Sequence, residues 1–168
     1  LSAEYAYSKD IAHLDNAYVL SLKNNRDDVK KFIMSNGAVG VQYYHSDSKL
    51  LWNSDKQLWT YYDSTASGGG HNVMMVGWDD NFSKDDFVGD KPANNGAWLI
   101  RNSWGFTQSY FWMSYENASL LDAAWAIDMN TADNYDNNYQ LDGGVDCFNV
   151  SNKICQYKTY SNVFTVQS

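Results

Sequence analysis

Gly68-Gly69-Gly70-His71-Asn72-Val73-Met74-Met75-Val76-Gly77-Trp78 is the stretch on which the fold turns, and Gly96-Ala97-Trp98-Leu99-Ile100-Arg101-Asn102-Ser103-Trp104-Gly105 is its companion. A run of glycines lets the backbone approach a neighbour closely. The apolar residues from Val73 to Trp78 read as one buried strand, and Ala97 to Asn102 as a second. Together the two strands present a His and an Asn at one point in space.

Working outward, the clearest helix covers 27–36. Asp27 caps it, Val29, Phe32 and Ile33 form its apolar face, and Gly37 stops it. Residues 38–44 then read as a strand rich in β-branched and aromatic side chains. Ser46 to Asn53 is a turn-rich connection, and Gln57 to Tyr62 an aromatic strand or edge. Residues 79–96 form an acidic loop holding the single proline, Pro92. Further strands are expected at 97–102, 110–115 and 123–129. One helix followed by a run of strands is an α+β pattern with an antiparallel sheet or barrel. Residues 1–25 are polar with scattered aromatics, and from about Asn130 the chain turns Asn-, Asp- and Tyr-rich. The expected domains are therefore 1–130 and 131–168, the second too short to build a core alone.

Composition narrows the function classes. A chain of 168 residues is long enough to bury a substantial core, and its 27 aromatic residues (7 Trp, 13 Tyr, 7 Phe) furnish one. The net charge of −8 argues against a nucleic-acid partner, which needs clustered Lys and Arg. No stretch is long and apolar enough for a membrane span. The acidic residues read as a solvated surface. Asp79 to Asp90 lacks the central Gly and closing Glu of an EF-hand loop, so no metal is assigned, and no cofactor. Cys147 and Cys155 either close a small disulfide or remain free thiols.

His71 and Asn102 suit two linked tasks. A neutral imidazole takes a proton from a nucleophile, and a side-chain amide holds that imidazole in one tautomer without adding charge. Trp104, two residues beyond Asn102, is placed to cover the pair as a buried indole lid and exclude water. Singly, each residue has a plain reading: a packed histidine, a turn asparagine, a core tryptophan. In combination, with Gly70 and Ser103 flanking, they exceed what packing demands.

The two motifs resemble those of papain-family cysteine peptidases. Gly70-His71-Asn72-Val73 is similar to the histidine strand of that family, and Asn102-Ser103-Trp104-Gly105 to its asparagine turn. Tyr110-Phe111-Trp112-Met113-Ser114-Tyr115 resembles the strand that follows, and the likeness runs from the helix at 27–36 through Met129. It implies a papain-like fold, represented by the β-rich half-domain. It also implies His71 as general base and acid, Asn102 as its orienter, Trp104 as shield, and a protein or peptide substrate. The family's nucleophilic cysteine stands on a helix of the other half-domain, after a glutamine of the oxyanion hole. No cysteine, and so no such glutamine–cysteine pair, precedes His71 here. The missing helical half is thus the implied partner, and the chain alone is expected to be inactive. The turn after Gly105, Phe106-Thr107-Gln108-Ser109, is shorter than the family's.

Asn134 to Gly143 and Ser161 to Thr165 resemble the opening of a lectin-like β domain. Such a domain follows the peptidase in bacterial surface or secreted members. That implies an extracellular or cell-wall setting, with carbohydrate or wall contact through the tail. A different class remains open: a non-catalytic surface adhesion protein keeping a degenerate peptidase fold.

Overall fold

The computed structural model describes residues 13–105 and 108–131. The proposed lectin-like stretch, both cysteines, Phe106 and Thr107 lie outside them. In chain order the elements are β1 (His13–Leu20), α1 (Arg26–Asn36), β2 (Val39–His45), β3 (Leu50–Asn53) and β4 (Leu58–Tyr61). There follow β5 (Gly69–Asp79), β6 (Ala97–Arg101), β7 (Tyr110–Ser114) and β8 (Leu120–Asn130). The chain divides into two compact units, Asn16–Asp128, and Leu1–Asp15 with Met129–Ser168. Helix α1, His71 and Asn102 all lie in the first.

The strands make one sheet in the order β1-β8-β2-β5-β6-β7-β4-β3. Of the pairings with described register, β4 with β7 is parallel and the others are antiparallel. Period-2 alternation sets the core face. Val39, Val41 and Tyr43 of β2 point inward, as do Val73 and Met75 of β5, Trp98 and Ile100 of β6, and Phe111 and Met113 of β7. Helix α1 buries Val29 and Ile33 and packs on β2 and β5.

The helix begins one residue earlier than its sequence pattern suggests. Asn25 occupies the cap position without a side-chain cap bond, so Asp27 is no cap. It lies in the first turn, where a carboxylate faces the positive end of the helix dipole. Gly37 ends the helix at φ +93°, its N–H donating to Ile33 O at 2.8 Å.

Two strands fall where the sequence suggests none. β1 lies in the polar opening segment. β3 pairs with β4 as a hairpin, Leu50 opposite Tyr61, inside the expected connection 46–53. The acidic loop is also more built than a solvated surface. Phe82 and Phe87 form a small second core with Ala97, and Phe82 stacks on Trp112. Asp80 pairs with Lys30 at 2.6 Å and accepts from the Tyr115 hydroxyl at 2.9 Å, tying the loop to α1. Asp90 pairs with Lys49 at 2.7 Å.

The glycine run meets β2 edge-on. Gly68 has φ +113°, and a Cβ built there would stand 1.9 Å from the main-chain oxygen of His45. Both the left-handed backbone and the contact require glycine. Gly68→Ala should therefore lower the unfolding free energy by more than about 1 kcal/mol, read as a shifted denaturant midpoint at unchanged slope.

Candidate active site

Two adjacent strands and a third bring the site together by register. In β2 and β5, Tyr43 stands directly opposite His71. In β5 and β6, Met74 faces Arg101, so one further ladder step sets Val73 against Asn102. His71 shares its face with Val73, and Asn102 shares its face with Ile100 and Trp98. The two are thus diagonal neighbours on the core side, at the end of the sheet where packing gives way to solvent.

His71 Nε2 lies 3.0 Å from Asn102 Oδ1. The same oxygen accepts the main-chain N–H of Ser103 at 2.9 Å, and the main-chain N–H of Asn102 donates to Ser109 O at 2.8 Å. Ser103 N–H can only donate, so the amide must present its oxygen there rather than its NH2. Nε2 of His71 must then carry the hydrogen that it shares with this oxygen. In the neutral ring the lone pair is left on Nδ1. The arrangement is a base with a defined basic atom. Asn102 is only 4% exposed, and its Nδ2 has no partner among the described residues.

Trp104 stacks on the imidazole of His71, centroids 4.6 Å apart and planes 24° from parallel. It covers the ring as expected but is not buried: 39% of it remains exposed. The chain turns outward after β6, so one indole face meets His71 while much of the ring meets solvent. Ser103 contributes its main-chain N–H, while its side chain is exposed. Gly70 is exposed, and a Cβ there would come 3.3 Å from Gln42 Nε2, so its need for glycine is weaker than that of Gly68.

Sequence reading overlooked two contributors. His45 ends β2 on the same face as Tyr43, its ring 5.8 Å from His71 and 4.5 Å from Trp104. Strand parity from Tyr43 would have pointed to it. Asp63 is the second. Fully buried after β4, it takes Thr65 N–H and hydroxyl on Oδ1 at 2.8 and 2.7 Å, and Ser67 N–H and hydroxyl on Oδ2 at 2.9 and 3.0 Å. The turn that delivers the glycine run is wrapped around this carboxylate. Among the described residues no group of three or more His, Cys, Asp or Glu side chains is arranged to hold a metal, and no helix is long and apolar enough to cross a membrane.

Burial alone would raise the Asp63 carboxyl, but the four donors outweigh it and hold the group down at about 2. A carboxyl lowered in the folded state stabilises the fold at pH values above its unfolded value, about 3.9. That contribution is lost as pH falls through about 2. Thermal unfolding followed between neutral pH and pH 2 should show this acid-side loss, and Asp63→Asn should flatten it while lowering stability at neutral pH.

The family described as "Papain family cysteine protease" matches residues 3–129. No curated protein matches the chain. Among solved structures, the clostridial cysteine protease Cwp84 after propeptide cleavage is 34% identical, with a TM-score of 0.61 over 76% of this chain and 32% of its own. The cysteine protease and lectin-like domains of Cwp84, a surface layer associated protein of Clostridium difficile, match at 35% identity. There the TM-score is 0.60, over 77% of this chain and 29% of that one. The present chain thus spans about a third of the length of these structures.

Proposed function

The chain belongs to the papain family of cysteine proteases, and on that premise we propose that His71 and Asn102 are the base and its orienter in a peptide-bond-cleaving site. The nucleophilic cysteine is supplied by a helical half that this sequence does not contain. The observation that carries the reading is the doubly engaged Asn102 Oδ1, which leaves Nδ1 of His71 basic.

In the first step Nδ1 takes the proton of the cysteine thiol, forming a thiolate–imidazolium pair. The thiolate adds to the peptide carbonyl, and the new S–C bond pushes the carbonyl electrons onto oxygen. Collapse breaks the C–N bond, and the Nδ1 proton leaves on the departing amine. His71 next deprotonates a water that attacks the thioester, and the thiol is restored. Throughout, Nε2–H stays on Asn102 Oδ1, and Trp104 keeps water from that bond.

A hollow of about 630 Å³ lined by Gln42, Asn72, Met74, Arg101 and Trp125 opens on the sheet face opposite His71, where Met74 and Trp125 are exposed. The surface-layer association of Cwp84 and its lectin-like domain support a cell-surface setting for this chain too, with residues 131–168 leading into a lectin-like module.

In the full-length protein His71→Ala should abolish hydrolysis of a peptide substrate, and Asn102→Ala should cut kcat by roughly 10²-fold or more while the domain stays folded. Undiminished turnover by the His71→Ala protein would remove the assignment. A Ser, Ala or Gly at the upstream nucleophile position would instead make the protein a non-catalytic surface binder.

A further inference from the structure

We propose that His45 is a positioning residue for this reaction: its ring braces Trp104 over His71, while its main chain receives the glycines that lead into His71. The proposal rests on the peptidase reading and adds a residue to it.

Both nitrogens of the His45 ring are engaged. Nδ1 lies 2.8 Å from the Tyr43 hydroxyl, and Nε2 lies 3.0 Å from the Asp47 carboxylate. The Asp47 carboxylate can only accept, so Nε2 carries a hydrogen and donates to it. In the neutral ring Nδ1 then accepts from the Tyr43 hydroxyl. A relay of buried tyrosine, largely buried histidine and exposed aspartate prevents the ring from turning.

Two further aromatic rings pack against that imidazole. Tyr61 stacks on it at 5.6 Å and 28°, and Trp104 meets it at 4.5 Å and 86°. Trp104 in turn lies nearly parallel on His71. The indole thus touches two imidazoles, stacked on His71 and perpendicular to His45. At the main chain, His45 pairs with Gly69, and the close approach of Gly68 is to the His45 carbonyl. One residue touches both the cover of His71 and the backbone leading to it.

Packing alone would need neither nitrogen, since Phe or Leu fills such a space. Trp104, moreover, is partly exposed. A surface indole without a lateral brace keeps its rotamer freedom, and a face-on indole stabilises an imidazolium only while it stays in place. His45 therefore keeps the indole in place over the His71 ring. The groups facing His45 are Asp47, Tyr43, Tyr61, His71 and Trp104, with Lys49 and Asp63 acting on Tyr61 from behind. At neutral pH Asp47 is the one formal charge in direct contact with the ring among the described residues, and its side chain is 98% exposed.

The test uses the full-length protein with four variants: His45→Ala, His45→Phe, Asp47→Asn and His71→Ala. His45→Ala should lose roughly 10–100-fold in kcat with KM nearly unchanged. The alkaline limb of its kcat/KM profile should move down by roughly half a pH unit as the imidazolium loses its cation–π partner. His45→Phe, keeping the ring but neither hydrogen bond, should fall between Ala and the parent. Asp47→Asn, at an exposed site that cannot unfold the domain, should move the same limb in the same direction by a smaller amount. If His45→Phe and Asp47→Asn both match the parent in kcat and in the limb while His71→Ala is dead, His45 only fills space and the proposal falls, with the peptidase reading intact. Activity retained by His71→Ala would overturn the peptidase reading itself.

Discussion

A single amide oxygen, Oδ1 of Asn102, carries the site. It accepts one N–H from its own chain neighbour, Ser103, and one from the His71 ring. The first bond dictates which end of the amide faces the cleft, and the second then dictates which ring nitrogen is protonated. A carboxylate would hold the ring as well but would add a buried charge, with its desolvation cost and a strong pull on the imidazole proton. The amide orients without charging. It succeeds because the main chain of Asn102 is itself tied to Ser109 O just past the end of β6, so the acceptor belongs to the sheet and not to a loose loop.

That acceptor meets His71 because two strands keep their pleat. Inward residues alternate along β5 and β6 up to the end of the ladder, and the catalytic candidates simply continue the series Met75, Val73, His71 and Trp98, Ile100, Asn102. The series breaks at the other end. Between Met75 and Gly77 the register slips by one, so Trp78 comes opposite the buried Trp98. A bulge there turns the far half of β5 over without disturbing the half that bears His71. The defect begins a full turn of the pleat beyond Val73, where a flipped face leaves the chemistry untouched.

The same contrast explains what could be read from residue order. The apolar runs on β2, β5, β6 and β7 announce themselves, because each is buried on one face and strand periodicity records it. The helix is equally plain from Val29, Ile33 and Gly37. β1 and β3 were hidden for opposite reasons: β1 is largely exposed and lacks an apolar alternation, while Leu50-Leu51-Trp52-Asn53 is too short to outweigh the turn residues around it. Trp104 reads as a buried aromatic in sequence, because nothing in residue order says that the chain turns outward at Gly105. Strand parity places His45 beside Tyr43, but its ring partners Tyr61, His71 and Trp104 lie far off in the chain, and half of the Asp63 donors are backbone N–H groups that any residue supplies.

The glycine run shows how these hidden residues support the visible ones. Gly68, Gly69 and Gly70 have no side chains to bury, and ordering a backbone residue costs on the order of 1–2 kcal/mol. Glycine loses the most freedom of all residue types. A flexible lead-in would let His71 drift from Asn102, and diagonal neighbours tolerate little drift. The fold offsets this from both ends of the run. Upstream, the Asp63 carboxylate gathers four donors from Thr65 and Ser67, and charge-assisted bonds of that kind are stronger than neutral ones. Downstream, Gly70 and His71 are already laddered to Tyr44 and Tyr43. Between them Gly68 presses against the carbonyl of His45, a contact that any side chain would forbid. Absent side chains thus become a constraint instead of a freedom: the backbone is held because it can come so near, and the imidazole that follows inherits its position.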